Sequence, residues 1–338
     1  MKQFSIPFTK GMFDYLKTFK KKKYINDVYF SDGTFPSARQ IKLSTEERTE
    51  VRNIKEILKI KLNYTYNPAY YSPYDYLNLN DIIKKIEFLY EFYQFDVITL
   101  NNTHFLLNVN FRNFFLKNNI KIRLSVNNRV DSVEKLKLFY EEFGINSVVL
   151  DRNLNRNEDE LKKCVSYAKE NNIEIFLLVN EGCLPNCPFK QFCDILMSQS
   201  EIMEKLNKDD EEKLKTILHS LGCVYIFENI PFKGLQSPFI SPTWINNFDD
   251  YIKFKISGRN NYIENLKKII EAYIFGDGKI SYSTAFSTFR RQENFDFYDL
   301  DEFNFYDKVK NCKLQCHSCD FCKQVYFQLK KEQKYATS

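Results

Sequence analysis

Of the nine cysteines, seven fall in two short stretches, and closely spaced thiols are the residues of this chain best suited to chemistry. The first stretch, NEGCLPNCPFKQFC, holds Cys183, Cys187 and Cys193. Pro185 and Pro188 favour tight turns there, which would let thiolates a few residues apart converge on one centre. Cys223 follows at a distance as a fourth candidate. The second stretch, CKLQCHSCDFC, places Cys312, Cys316, Cys319 and Cys322 in a C-x3-C-x2-C-x2-C run. In a reducing compartment such clusters point to metal or redox chemistry before disulfides.

Thiolates hold both zinc and iron-sulfur clusters. Zinc sites usually come as two separated C-x-x-C pairs, whereas a compact run with gaps of two or three is like ferredoxin-type ligation. An iron-sulfur cluster is therefore expected, with zinc as the alternative. The order C-x3-C-x2-C also occurs in radical S-adenosylmethionine enzymes, but there it follows the first barrel strand, and here it lies near the C-terminus. Cys164 stands alone on an expected helix and reads as a buried structural residue. Of the histidines, His104, His219 and His317, only the last is near a candidate metal site.

These residues need a scaffold. With 43% hydrophobic and 28% charged residues, the 338-residue chain has the balance of a folded globular protein. Short strand-like runs alternate with helical patterns: Tyr24 to Ser31, Ile60 to Asn67, Phe95 to Asn101, Ile120 to Asn127, Ser147 to Asp151, Ile173 to Asn180, Cys223 to Asn229 and Tyr251 to Ile256. Apolar residues recur at helical spacing between them, as in Leu77 to Tyr93 and in Ser132 to Phe143, where Val133, Leu136, Leu138 and Phe139 mark a face. Strand and helix in alternation imply parallel pairing with right-handed crossovers, and eight units close into a TIM-like (β/α)8 barrel. No glycine-rich nucleotide fingerprint follows any strand. The barrel is assigned to residues 1–275 and a C-terminal extension carrying the second cysteine run to 276–338. The segment Ser198 to Leu218 is expected to be a charged helical insertion.

In such a barrel the chemistry sits at the C-terminal ends of the strands. Those ends carry Asp32, Asn67, Asn101, Asn102, Asn127, Asn128, Asp151, Arg152, Asn180, Glu181, Glu228, Asn229, Ser257 and Arg259. Asn and Asp also stop strands and cap helices, so each has a structural reading beside the catalytic one. The candidate catalytic residues are Glu181, an acid or base beside Cys183; Asp151; and Arg259 in KISGR, where a glycine and a guanidinium fork suit a phosphate or carboxylate.

The net charge of +5 is spread over both signs, and the run Lys20 to Lys23 reads as solvated surface, so nucleic acid is not favoured as a partner by charge. No stretch is long and apolar enough for a membrane span, and the N-terminus lacks the apolar centre of a signal peptide, so a cytoplasmic location is expected.

SVVLDRNLNR, LLVNEGCLPNCPF, ISPTWI and FKISGR together resemble the collagenase-like peptidase family U thirty-two over roughly Tyr24 to Phe275. The resemblance implies a barrel and, in several relatives, an oxygen-labile four-iron cluster held by four cysteines around the loop matching Cys183. It also implies a part in oxygen-independent hydroxylation of a quinone precursor or of RNA, often with a partner chain, or peptidase activity. The cysteine spacing is tighter here than in those relatives, and the C-terminal run is an addition, so the resemblance implies one or two four-iron clusters. No H-E-x-x-H or G-x-S-x-G motif supports proteolysis independently.

Overall fold

The computed structural model describes residues 1–37, 41–198, 207, 209–210, 212–213, 223–259, 261–286 and 295–336. Eight parallel strands close into a barrel in sequence order. They are β1 (Phe4–Pro7), β2 (Ile25–Phe30), β3 (Leu62–Tyr66), β4 (Val97–Leu100), β5 (Lys121–Leu124), β6 (Ser147–Val149), β7 (Glu174–Leu178) and β8 (Lys253–Lys255). Closure comes from β1, which pairs with both β2 and β8.

The barrel matches the expectation, but one of its strands was not expected and one expected strand is a helix. β1 was not among the expected eight, because a four-residue run ending in Pro7 carries little strand signal. The run Cys223–Asn229, expected as a strand, is a helix. A short apolar run rich in aromatic and β-branched residues is ambiguous by periodicity, and here the helix buries Phe227 while leaving Tyr225 exposed. The Cys183 loop therefore follows β7, the seventh strand rather than the sixth, and Glu228 and Asn229 sit exposed on that helix instead of at a strand end.

The outer helices follow their sequence signals. Ser132 caps Val133–Phe143 by accepting from Lys135 N, and Gly144 ends that helix in the left-handed region. Its buried face holds Val133 and Leu136, but Leu138 is 54% exposed; two residues past Leu136 is about 200° around the helix. Cys164 is fully buried on Glu158–Glu170, as expected. Burial raises its thiol to about 12. Most of the segment Ser198 to Leu218, and His219, lie outside the described residues.

The interior of the barrel is unusually polar. Asp27 on β2 and Arg123 on β5 are each 0% exposed and pair at 2.9 Å. Asp27 also accepts from Ser5 Oγ on β1 and from the Asn26 amide, both at 2.5 Å. Arg123 donates from Nε to Ser147 Oγ on β6 at 3.0 Å and lies 3.8 Å over the Phe176 ring of β7. Thr99 on β4 donates to Asn63 Oδ1 on β3 at 2.8 Å, completing the layer. Below it, Glu174 holds Lys121 and Lys253 at 2.9 and 2.7 Å. Burial pushes the Glu174 carboxyl up, but the two lysines outweigh it and hold it at about 2.

Residues beyond 276 pack onto the barrel rather than away from it. Phe305 stacks on Trp244 and Phe239, and Phe286 and Phe297 pack against Phe239. Among the described residues no helix is long and apolar enough to cross a membrane.

Burial pushes the Asp27 carboxyl up, yet Arg123, Ser5 and Asn26 overcome this and leave it below its ordinary value. Its stabilisation is therefore complete above the unfolded value of about 3.9 and is lost as pH falls through the lower folded value. Asp27→Asn should lower the unfolding free energy by about 3–5 kcal/mol at neutral pH. In urea titrations the difference from the native protein should shrink towards acid pH; a neutral-pH loss below about 1 kcal/mol would mean the pair is not what holds this layer.

Candidate functional site at the barrel mouth

Many strand-end polar residues act as braces. Asp32 accepts from Tyr64 and Tyr93 hydroxyls at 2.9 and 3.1 Å and pairs with Arg48 at 3.3 Å. Asn180 accepts from Ser257 N at 2.6 Å and donates to the carbonyls of Ser257 and Ala285, tying β7 to β8 and to the extension. Asn67 donates to Ser125 Oγ, Asn101 to the Pro68 carbonyl, and Asn128 to the Leu100 carbonyl. Asn102 caps the turn that follows it, and Asn127 donates its backbone N–H to Ser125 Oγ.

The three candidate catalytic residues fall on different parts of this rim. Asp151 accepts from Asn153 N at 2.8 Å and caps the helical turn Arg152–Arg156. Glu181 pairs with Arg152 at 2.8 Å and accepts from the Cys183 thiol at 3.3 Å. Burial pushes the Cys183 thiol well above its ordinary value, and Glu181 adds to this, with Arg152 and Lys190 opposing. Arg259 donates to Ser31 Oγ and Thr65 Oγ1, both at 3.0 Å, and lies 5.9 Å from the Tyr29 ring centroid. Gly258 before it has φ +130, and a Cβ there would meet the Asn261 amide at 2.6 Å, so only glycine suits this turn.

The two cysteine stretches differ in how far they are gathered. Turns fall at Pro185–Asn186 and Pro188–Phe189, as the prolines predict. Yet Cys193 is exposed on the helix Lys190–Ser198, Cys187 is half-buried, and Cys223 opens a separate helix. The charges acting most strongly on Cys183 come from Glu181, Arg152 and Lys190, with no cysteine among them.

The C-terminal run is drawn together. Cys312 and Cys316 are joined by successive turns, with Cys312 N donating to the Val309 carbonyl and Gln315 N to the Cys312 carbonyl. Cys322 then begins the helix Phe321–Ala336. Burial raises Cys322 to about 12, with Cys316, Cys312 and Cys319 acting in the same direction and Arg156 opposing. His317 beside them is exposed. Among the described residues, no three His, Cys, Asp or Glu side chains are arranged to hold a metal ion as they stand.

Arg156 is the neighbour that sequence reasoning missed. It is 2% exposed, and among the described residues its side chain makes one hydrogen bond, to the Ser237 carbonyl at 3.0 Å. Its guanidinium faces the rings of Phe239, Trp244 and Phe305 at 4.8, 5.6 and 5.7 Å, and among the described residues it forms no ion pair with a carboxylate. Burial lowers its pKa, while charge on Cys322, Cys312 and Cys316 works to keep it protonated. Arg156 and Ser237 together link the two cysteine regions: Ser237 Oγ donates to the Cys183 carbonyl, and Lys313 N donates to the Arg156 carbonyl. A buried cation lacking a carboxylate is best matched by anionic thiolates, which is the state metal ligation imposes on cysteine. By residue type, the four thiols of the C-terminal run are donors that a thiolate-bound metal centre would use.

No family model matches the chain. A protein of Methanocaldococcus jannaschii described as an uncharacterized protease is 27% identical over 213 residues, 62% of this chain and 60% of its own length. The chain thus spans about 60% of the length of the curated relative it matches. The solved structure of a U32 peptidase superposes with a TM-score of 0.50 at 14% identity, covering 76% of this chain and 94% of that one, which is a likeness of fold. Relation in sequence to the one and in fold to the other joins the motif resemblance carried by NEGCLPNCPF and FKISGR, and in these respects the chain is similar to U32 peptidases.

Proposed function

We propose that the protein is an iron-sulfur protein taking part in an oxygen-independent modification, a hydroxylation or related redox step, of an RNA, a quinone precursor or a peptide. The observation that carries the metal centre is Arg156, a buried guanidinium without a carboxylate partner among the described residues, set beside the thiols of Cys312, Cys316 and Cys322. Cys312, Cys316, Cys319 and Cys322 would hold one cluster, and Cys183, Cys187, Cys193 and Cys223 are the candidates for a second. A four-iron cluster would supply one-electron transfer. The chain's own residues would then bind and orient the substrate at the mouth, with Arg259 meeting an anionic group and Glu181 carrying a proton next to Cys183.

The peptidase reading gains no comparable support. Among the described residues neither His104 nor His317 forms a hydrogen bond with a cysteine: His104 lies edge-on to Tyr76 and His317 is exposed.

Protein purified without oxygen should be brown and carry about four irons and four sulfides per cluster. Cys316→Ala with Cys319→Ala should remove one cluster's worth of iron, and Cys183→Ala with Cys187→Ala should report on the second site separately. Colourless protein containing zinc would end the redox reading and leave a structural metal. In iron-loaded protein, Arg156→Gln should shift the reduction potential to more negative values, because a nearby positive charge favours the reduced cluster. An unchanged potential in a protein that keeps its iron would separate Arg156 from the metal centre.

A further inference from the structure

Lys255, on the last barrel strand, is the buried charged group that neither the braces of the mouth nor the cysteine regions use. It is 8% exposed and projects into the barrel above the Asp27–Arg123 layer, in register with Ser5 on one side and Leu178 on the other. Its Nζ stands 4.2 Å from the centroid of the Tyr29 ring, and among the described residues it makes no hydrogen bond or ion pair. Other partly buried lysines do otherwise. Lys2, Lys55, Lys121, Lys190 and Lys253 each pair with a carboxylate, and Lys253 is only two residues earlier on the same inward side of the strand.

Charge around Lys255 is unbalanced. Arg123 faces it from β5 and Arg259 from beyond β8; Asp27 on β2 and Glu181 after β7 oppose them, and Tyr29 on β2 supplies the ring. The Asp27 carboxylate is already committed to Arg123, and Glu181 to Arg152. The Tyr29 hydroxyl donates to the Ile256 carbonyl at 2.8 Å. Burial and the two guanidiniums lower the Lys255 ammonium to about 7, against an ordinary value of about 10.4.

We infer that Lys255 is a nucleophilic amine that condenses with a carbonyl compound bearing a carboxylate or phosphate, the anion being received by Arg259 at the same mouth. Both cationic groups approach the one Tyr29 ring, Nζ at 4.2 Å and the Arg259 Cζ at 5.9 Å, which puts amine and guanidinium within the span of a small molecule. The neutral amine adds to the carbonyl carbon, forming the C–N bond as the C=O π bond opens to a carbinolamine. Loss of that oxygen as water, with both amine protons, leaves the imine, and one proton taken up from solvent gives the iminium. No oxidant or reductant enters. The inference goes beyond the metal centre and uses none of its residues.

The test uses the full-length native protein with pyridoxal 5′-phosphate as an anionic aldehyde and pyridoxal as its phosphate-free counterpart, each trapped with borohydride and mapped by peptide mass spectrometry. Lys255 should be modified first. Its labelling should rise with pH through about 7. The exposed Lys84 and Lys162 should lag by roughly tenfold or more, since an ordinary lysine is almost wholly protonated there. The phosphate-bearing aldehyde should label Lys255 faster than pyridoxal, and Arg259→Met should remove that advantage while Lys255 still reacts. Modification of Lys84 and Lys162 with Lys255 untouched would overturn the nucleophilic amine. Equal labelling by the two aldehydes would overturn the anion-receiving role of Arg259. Iron content has no bearing on either outcome.

Discussion

The constraint on which this architecture depends is the burial of a carboxylate and a guanidinium inside the barrel. Asp27 and Arg123 come from β2 and β5, and their contacts reach Ser5, Ser147 and Phe176 on β1, β6 and β7. An ion pair taken out of water holds only when its remaining hydrogen-bonding capacity is met in fixed geometry. The pair therefore dictates the register of strands far apart in sequence, in a place where most barrels rely on branched aliphatic side chains. On the β6 and β7 side Val149, Phe176 and Leu178 form a small apolar cluster of their own. Everything above this layer, including Lys255 and the rim of the mouth, inherits its position from it.

The polar interior also explains what could and could not be read from the residues. Seven of the eight strands and the closed barrel were legible because strand and helix patterns alternate along the chain. β1 was hidden by its shortness and Pro7, and Cys223–Asn229 mimicked a strand because a short aromatic run fits both periods. KFKI on β8 alternates like a half-exposed strand with lysines towards water. In a closed barrel both faces are buried, so Phe254 and Ile256 face the outer core and Lys253 and Lys255 the inside.

The site was legible as composition more than as geometry. The C-terminal cysteine run announced itself by spacing, and the prolines after Cys183 marked real turns. Arg156 could not be found that way, because nothing in RNLNR tells that one arginine will pair with Glu181 and the other will be enclosed by Phe239, Trp244 and Phe305. Those rings are supplied by segments about 80 to 150 residues later in the chain, and such separation leaves no local trace. Asn and Asp at strand ends proved to be braces in most positions, as their capping chemistry allows.

The aromatic seam between Phe239, Trp244 and the later rings Phe286, Phe297 and Phe305 carries a consequence for how the molecule is made. A chain emerging from the ribosome completes β8, and with it the means to close on β1, before residues 286–305 are available. Through that interval the face of Phe239 and Trp244 and the Arg156 guanidinium have no cover, and transiently exposed apolar surface is where association between chains begins. The stretch from Phe286 to Cys322, which carries the second set of thiols, is thus also the shutter over this face, and translation supplies it only after the barrel strands.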